Sequence, residues 1–216
     1  MPAIFPKWTN RLPLLVIVGL TLVGTGVTAG VWYYFTPKYT RVGYQPLQPV
    51  NFSHAVHVDQ LGMDCRYCHS AVEQAWYSNI PASSTCMNCH NQVLKEDARL
   101  AQVRESAASG HSIPWVQIHR LPDFAYFNHS VHVNRGVSCV SCHARIDLMD
   151  VVYHAQPLSM AFCLDCHRNP APNLRPKAKI TDLAWNPRKN LPADWGRLKV
   201  LEWKVNASQN CSACHR

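Results

Sequence analysis

Charged side chains are scarce in this chain, and long apolar stretches are rare after its first 40 residues. Asp, Glu, Lys and Arg together make up 16% of the 216 residues. Beyond residue 40, few stretches show the apolar periodicity of a helix or a strand. We therefore expect a mostly irregular fold with short α-helices. Such a chain would struggle to bury a core of its own side chains, which predicts that another group fills its centre.

Charge is entirely missing from one segment near the start. Residues 12–35 carry no Asp, Glu, Lys or Arg and are long enough to cross a bilayer. Trp32, Tyr33 and Tyr34 would lie at an interface. A cleaved signal peptide is the alternative, with a weak cleavage site at 27–29, but the apolar run continues past it. The sequence predicts a short N-terminal segment 1–11, a transmembrane helix 12–35 and a further domain 36–216.

Cysteine occurs in one pattern only. All ten cysteines form five C-x-x-C pairs, each followed directly by histidine. This motif is typical of c-type haem attachment, because two thiols one short turn apart bind the two vinyl groups of one porphyrin and the histidine binds the iron as proximal ligand. The predicted attachment residues are Cys65, Cys68, Cys86, Cys89, Cys139, Cys142, Cys163, Cys166, Cys211 and Cys214. The predicted proximal ligands are His69, His90, His143, His167 and His215.

Two other uses of C-x-x-C pairs fit this sequence poorly. Zinc sites combine the pairs in twos and do not require a histidine after each pair, and disulfide frameworks have varied spacings. With 12 histidines in 216 residues, five such histidines would arise by chance with odds on the order of 10⁻⁶. We therefore expect five haem c groups as the cofactors.

The haems change what the charge of the chain implies. The polypeptide has a formal net charge of +8, whereas five haems would add about −5 when oxidised and about −10 when reduced. The holoprotein is then close to neutral. Its basic residues also form no strip interleaved with aromatic side chains, which single-stranded nucleic acid would need. We expect no nucleic-acid partner.

Seven histidines remain outside the motifs, enough to give most haems a distal histidine. Four of them lie in two copies of F-x-H-x-x-H-V, in which an i, i+3 pair can share a helical face and serve two different irons. His119 is the next candidate, and His111 and His154 are weaker ones that can equally lie at the surface or in hydrogen bonds. The predicted distal ligands are His54, His57, His119, His129 and His132.

Met160 is a further candidate for a distal ligand, since it lies three residues before Cys163. A thioether ligand raises the haem potential relative to imidazole. Met160 can equally pack against the edge of a porphyrin. If it binds the iron of the Cys163 motif, His119 is the histidine most readily released to hydrogen bonding or packing.

The motifs form an internal repeat. F-x-H-x-x-H-V, G-x-x-C-x-x-C-H and a second haem motif follow one another over 52–90 and again over 127–167, with an offset close to 75 residues. Each copy predicts a dihaem module, and the fifth motif lies alone at 211–215. Between the modules, residues 95–108 predict a polar helix that ends at Gly110. The Pro- and Asn-rich segment 168–210 predicts extended chain that wraps the haem core or a partner.

These motifs carry a family resemblance. F-x-H-x-x-H followed by C-x-x-C-H resembles the class III, cytochrome c3-type multihaem family. Residues 115–132 (WVQIHRLPDFAYFNHSVH) and 157–168 (PLSMAFCLDCHR) resemble the pentahaem subunit of alternative complex III, and that similarity spans nearly the whole chain, including the anchor and the haem count. The c3-type resemblance implies that the first histidine of each pair binds a haem of its own module and the second a haem elsewhere.

The resemblance to alternative complex III implies a setting. In that quinol oxidoreductase the pentahaem subunit contacts an iron–sulfur subunit similar to molybdopterin oxidoreductases, beside quinol-binding membrane subunits. Electrons pass on to a soluble cytochrome c, a blue-copper protein or an oxidase. The chain itself would be an electron carrier and not an enzyme. Because c-type haems are attached outside the energy-conserving membrane, residues 1–11 would be cytoplasmic and the haem domain would lie on the periplasmic side of the bacterial inner membrane.

Two other kinds of multihaem protein fit the sequence less well. A stand-alone membrane quinol dehydrogenase of the NapC/NrfH type also has one N-terminal span and several c haems. Its first motif typically continues C-x-x-C-H-x-M, whereas Ala71 stands at the methionine position here. A catalytic multihaem reductase needs an iron with an open coordination site, which the surplus of distal candidates disfavours. The preferred hypothesis is an electron-transfer subunit.

Overall fold

The computed structural model describes residues 5–35 and 41–215. The chain falls into two compact units that are divided after residue 42. In the first unit a 3₁₀ turn, Lys7–Arg11, precedes helix α1, Leu12–Phe35, whose bounds agree with the predicted apolar segment. Of the described residues, this region alone forms a helix long and apolar enough to cross a membrane, with a mean hydropathy of 2.2 in its apolar window.

The second unit consists of short helices joined by irregular chain, as the composition predicts. In the described part of the chain no sheet forms, and two isolated bridges join Ala125 to His215 and Val137 to Leu174. Helices this short are marginal on their own, so they depend on caps and tertiary contacts. The helices are α2 Cys65–Cys68, α3 Ser83–His90, α4 Ala101–Ser109, α5 His129–Asn134, α6 Val140–His143, α7 Met160–Arg168, α8 Pro187–Asn190, α9 Trp195–Glu202 and α10 Cys211–Cys214.

Buried apolar side chains form only small groups. Val50, Val103 and Ile113 pack together, with Leu100 and Trp115 against them. The other fully buried apolar residues in the described chain are Val133, Met149, Leu174, Ile180 and Leu183. The polypeptide therefore supplies little core of its own, in agreement with its composition.

The two repeats differ by one residue, and the backbone shows how it is accommodated. Four residues separate His57 from Gly62, whereas three separate His132 from Gly136. In the first repeat this stretch is a π-helix, Ala55–Gln60, where the second repeat has the ordinary α-helix α5. A π-turn holds one residue more than an α-turn. The wider turn lets the following motif start at the same place relative to the histidine pair.

The predicted helix at 95–108 begins later than expected. It starts as a 3₁₀ turn, Ala98–Leu100, and continues as α4. The Asp97 carboxylate accepts a hydrogen bond from the Arg99 backbone N–H at 2.8 Å, which fixes the start. Gly110 follows the helix with φ +75°, a left-handed conformation that favours glycine, and ends it as predicted.

The segment 168–210 is not simply extended, which corrects the sequence prediction. It contains several short helices, of which α9 is the longest. The rings of Trp195 and Trp203 pack edge to face with centroids 5.7 Å apart. The Lys199 ammonium lies 5.8 and 5.6 Å from the two ring centroids. These contacts at four-residue spacing stabilise a helix that composition alone does not indicate.

Candidate haem-binding site

Local side-chain hydrogen bonds fix the start of three of the five motif helices, α2, α7 and α10. At α2 the Asp64 carboxylate accepts from the Arg66 backbone N–H at 2.8 Å, and at α10 Asn210 accepts from Ser212 at 3.2 Å. At α7 the Ser159 hydroxyl accepts from a backbone N–H at 3.3 Å. A C-x-x-C pair spans one helical turn, so both thiols lie on the same face. Attachment of both thiols to one porphyrin requires this placement.

The cysteines have no competing partners of the two alternative kinds. All ten are free thiols. In residues 5–35 and 41–215, no group of three or more His, Cys, Asp or Glu side chains could hold a metal ion. The described chain therefore offers neither a disulfide framework nor a zinc-type ligand cluster.

Most histidines hold Nδ1 against a backbone carbonyl oxygen. His69 Nδ1 lies 2.7 Å from the oxygen of Asn79, and His167 Nδ1 lies 2.6 Å from that of Ser208. A proton on Nδ1 leaves Nε2 free to bind a metal, and such a hydrogen bond is how proteins orient metal-binding imidazoles. The same contact is made by His57, His90, His129, His132, His154 and His215.

Three proximal histidines face a distal candidate across a gap that fits one iron. Two imidazoles that bind a metal at about 2.0 Å each place their ring centroids about 6 Å apart. The pairs are His57–His90 at 6.1 Å, His132–His167 at 6.1 Å and His129–His143 at 6.5 Å. The arrangement fits bis-histidine ligation of the haems at the second, fourth and third motifs.

His54 completes the equivalent arrangement in the first repeat. Burial, followed by the nearby His69 and His57, lowers the pKa of His54 to about 4. Its Nδ1 atom is buried without a hydrogen-bond partner. A buried imidazole that stays neutral is suited to bind iron. We expect His54 to face His69, as His129 faces His143.

A phenylalanine orients each histidine pair in the same way. Phe52 meets His54 edge-on at 4.9 Å and stacks on His57 at 4.4 Å, with interplanar angles of 89° and 26°. Phe127 does the same in the second repeat, at 4.8 and 4.5 Å. Because one ring is edge-on and the other stacked, the two imidazoles of a pair are turned toward different motifs.

The second histidine of each pair lies inside its own module. His57 faces His90 and His132 faces His167, so each reaches the second motif of its own repeat. This placement differs from the c3-type expectation that the second histidine serves a haem elsewhere. In this chain the two motifs of a module follow directly after the histidine pair, and both come within its reach.

His119 and His154 form a separate buried pair beside His143. Their ring centroids are 5.2 Å apart, and His119 lies 4.4 Å from His143, too close for an iron between them. Both Nε2 atoms are buried without a hydrogen-bond partner. Burial lowers the pKa of His119 to about 4 and that of His143 to about 3, and neighbouring imidazoles add to both shifts. From the sequence, His154 is only a weak candidate for a distal ligand. Its 1% exposure in the structure is what draws attention to it.

Met160 and His111 are placed differently from these histidines. Met160 is the first residue of α7 and is 61% exposed. His132, rather than Met160, faces His167. His111 is exposed, in agreement with the alternative that it lies at the surface.

Contacts between motifs run from the second to the first and from the first to the third. The Asn88 amide donates to the Tyr67 hydroxyl at 3.1 Å, which joins the second and first motifs. Cys65 lies next to Cys139 of the third motif, and this neighbour, together with burial, raises the pKa of Cys65. Nearby, the His129 backbone N–H donates at 3.0 Å to the loop that follows the first motif. The two modules therefore meet at the first and third motifs.

The third motif lies near the fourth, and the fourth lies near the fifth. Burial raises the pKa of Cys142 to about 11, and the neighbouring Cys166 and Cys163 add to the shift. Burial also raises the pKa of Cys163, with Cys214 of the fifth motif as the next cause. The Tyr126 backbone N–H donates to the Cys214 carbonyl at 2.8 Å, which ties the fifth motif to the start of the second module.

These residues fit five covalent haems. Each motif has two free thiols on one helical face, and its histidine lies beside other imidazoles or against a backbone carbonyl. Among the described residues, the buried side-chain polar atoms without a hydrogen-bond partner are all imidazole nitrogens, at His54, His119, His143 and His154. Buried polar atoms without partners are costly and rare, so their concentration on imidazoles indicates a ligand-binding role.

The comparisons with known proteins agree with this chemistry. Residues 50–108 and 125–216, which contain all five motifs, match the family model described as cytochrome c7 and related cytochrome c. The chain is also similar to the menaquinone reductase multiheme cytochrome c subunit of Nitratidesulfovibrio vulgaris (strain Hildenborough). The two are 32% identical over 148 residues, which cover 58% of this chain and 70% of that protein. The chain therefore belongs to the family of cytochrome c7 and related cytochromes c.

Proposed function

We propose that this chain is a membrane-anchored subunit that relays electrons through five haem c groups in a quinone-linked oxidoreductase complex. The observation that carries the proposal is the set of histidine pairs at iron-spanning distance, combined with the proximity of each motif to another. When bound, each haem iron carries one electron by cycling between the ferric and ferrous states. The chain's own cysteines would attach the haems and its histidines would ligate the irons, which suits a carrier rather than an enzyme.

The motif contacts support a linear haem order. Numbering the haems by motif, the order is 2–1–3–4–5. Haem 3 lies in the middle, where His143 and its neighbours are most buried. Exposed cysteines occur at both end haems, Cys89 at haem 2 and Cys211 at haem 5, and also at the neighbouring haem 4, Cys163. Electrons would enter at one end and leave at the other.

The partners follow from two resemblances. The relative's name places it in a menaquinone reductase, and residues 115–132 and 157–168 resemble the pentahaem subunit of alternative complex III. Both support an electron carrier beside a quinone-reacting subunit. We propose the alternative complex III setting, with an iron–sulfur subunit of the molybdopterin-oxidoreductase type, quinol-binding membrane subunits, and a soluble cytochrome c or blue-copper acceptor.

Helix α1 is proposed as an uncleaved anchor in the bacterial inner membrane. It has the length and hydropathy for a span, and its aromatic end at Trp32–Tyr34 suits an interface. Because α1 carries no Asp, Glu, His, Lys or Arg, it offers no proton path for quinol chemistry. This disfavours a stand-alone quinol dehydrogenase of the NapC/NrfH type and supports quinol chemistry in partner subunits.

Purification from membranes tests the assignment. The tagged full-length chain, extracted in mild detergent, is expected to bring down an iron–sulfur subunit and polytopic membrane subunits, identified by mass spectrometry. The same complex is expected to transfer electrons from quinol to a soluble acceptor. A chain that purifies alone and oxidises quinol by itself would contradict the proposal.

A further inference from the structure

Neither histidine pair supplies a distal ligand for the C-terminal motif. Among the described residues, the ring contact of His215 is with Phe124, at 5.9 Å. Of the four other proximal histidines, three face a member of the two histidine pairs, and we expect His54 to face the fourth, His69. The remaining buried imidazoles, His119 and His154, pack on each other and beside His143, at the middle of the chain of motifs. Haem 5 therefore needs a ligand of another kind or none.

Met160 lies on the helix that adjoins the C-terminal motif. It begins α7 and precedes Cys163 by three residues, so both side chains lie on one helical face. Cys163 neighbours Cys214, an attachment residue of haem 5. At the other end of α7, His167 contacts the carbonyl of Ser208, three residues before that motif.

The thioether of Met160 is not used in packing. Met160 is 61% exposed, whereas Met149 is 6% exposed. An exposed methionine at the start of a short helix contributes little to stability. At haem 4, to which its position in the sequence first assigns it, His132 already faces His167 at 6.1 Å.

We propose that Met160 is the distal ligand of haem 5, bound through its sulfur, and not a ligand of haem 4. The inference rests on the proposed function, because it requires a haem at the C-terminal motif. Methionine as axial ligand raises the reduction potential of a haem relative to a second histidine. Haem 5, at the end of the haem order, then has the highest reduction potential of the five. Electrons leave the chain there.

Replacing Met160 with leucine in the full haem-loaded chain tests the assignment. Met160→Leu is expected to lose the near-infrared charge-transfer band of methionine-bound ferric haem and to let one haem in five bind carbon monoxide when reduced. Met160→His is expected to lose the same band, remain closed to carbon monoxide and lower the highest midpoint potential. Met149→Leu, a buried methionine, is the matched control and should keep the band. A Met160→Leu protein with the band intact would overturn the proposal.

A second variant separates haem 5 from haem 4. Cys211→Ala with Cys214→Ala removes the attachment of haem 5, and the haem count by mass should fall by one. The methionine band is then expected to disappear although Met160 is present. If the band persists with haem 5 absent, Met160 binds another haem and the inference is wrong. A parent chain with fewer than five haems would instead contradict the proposed function, so the two failures are distinguishable.

Discussion

At the scale of the residue, the hydrogen bonds of the imidazoles indicate which histidines are suited to bind iron. A histidine whose Nδ1 faces a carbonyl oxygen presents Nε2 in one orientation, and eight of the histidines show that contact. Holding an imidazole in one orientation costs conformational entropy, and the hydrogen bond stabilises the fold less than core packing does. Its recurrence at one residue type therefore indicates a ligand role.

His132 is the residue at which the pairing is most directly tested. Its ring faces His167 at 6.1 Å and stacks on Phe127 at 4.5 Å. His132→Leu keeps apolar volume but removes the sixth ligand of haem 4, so one reduced haem in five should bind carbon monoxide while the haem count stays at five. Difference spectra measure the binding. The exposed His111→Leu is the control, and equal binding in both variants would contradict the pairing.

The attachment thiols and proximal histidines can be predicted from the sequence because their chemistry is local. Two thiols and a histidine within five residues define an attachment site without any tertiary contact. The roles of His119 and His154 are not local, since they depend on which rings meet in the fold. Nothing near His154 in the sequence indicates that it is 1% exposed and in contact with His119.

At the scale of the element, the internal repeat predicts the arrangement of the motif helices better than helical periodicity does. The four-residue helices α2, α6 and α10 are too short to show an amphipathic pattern. The repeat still aligns the histidine pairs and the motifs that follow them. The one-residue difference between the copies is visible in the sequence, but its accommodation as a π-turn requires the structure.

Gly62 and Gly136 occupy equivalent positions in the two repeats, yet we expect different effects of substitution. Both have positive φ, +70° and +86°, so alanine costs about 1 kcal/mol of strain at each. A Cβ on Gly136 would also lie 2.7 Å from the Arg175 carbonyl oxygen, whereas one on Gly62 meets nothing within 4 Å. Gly136→Ala should therefore lower the free energy of unfolding well beyond Gly62→Ala. Equal losses in denaturant unfolding would show that the contact with Arg175 is unimportant.

Asp64 caps the helix of the first motif, and its effect should depend on pH. Its hydrogen bond with the Arg66 side chain lowers its pKa from 3.8 to about 2. Since the folded pKa is the lower one, the stabilisation is present above the unfolded pKa and is lost as pH falls toward about 2. Asp64→Ala should lower the free energy of unfolding by about 1 kcal/mol near neutral pH.

The size of this loss should shrink as the solution is acidified through the range between the two pKa values. Asp123→Ala is the matched control, because that carboxylate is 89% exposed and forms an ion pair with Arg120 at 3.2 Å. Exposed pairs of this kind contribute little. Thermal unfolding of both variants from neutral pH downward measures the difference, and a pH-independent loss at Asp64 would exclude a contribution of its charge.

At the scale of the whole molecule, the order of the motifs in space differs from their order in the sequence. The fold places motif 1 between motifs 2 and 3, through contacts of Tyr67 with Asn88 and of Cys65 with Cys139. Chain order alone suggests 1–2–3–4–5. The difference arises because the modules meet through their first motifs, and no local pattern encodes that contact.

The proposed topology gives a prediction for the intact membrane. With α1 as an uncleaved anchor, the haem unit should lie on the periplasmic side. Protease added to that side of sealed vesicles is expected to release haem-stainable fragments, and protease added to the cytoplasmic side is not. An internal soluble protein checks that the vesicles are sealed. Protection of the haem unit from the periplasmic side would reverse the orientation.

The central claim, that five haems are covalently held by this one chain, is tested most directly by its mass. Whole-protein mass spectrometry of the mature, denatured chain is expected to show the polypeptide plus five haem groups. A variant in which both cysteines of one motif are replaced by alanine should carry one haem fewer. A fully matured chain that carries four haems or fewer would contradict the account.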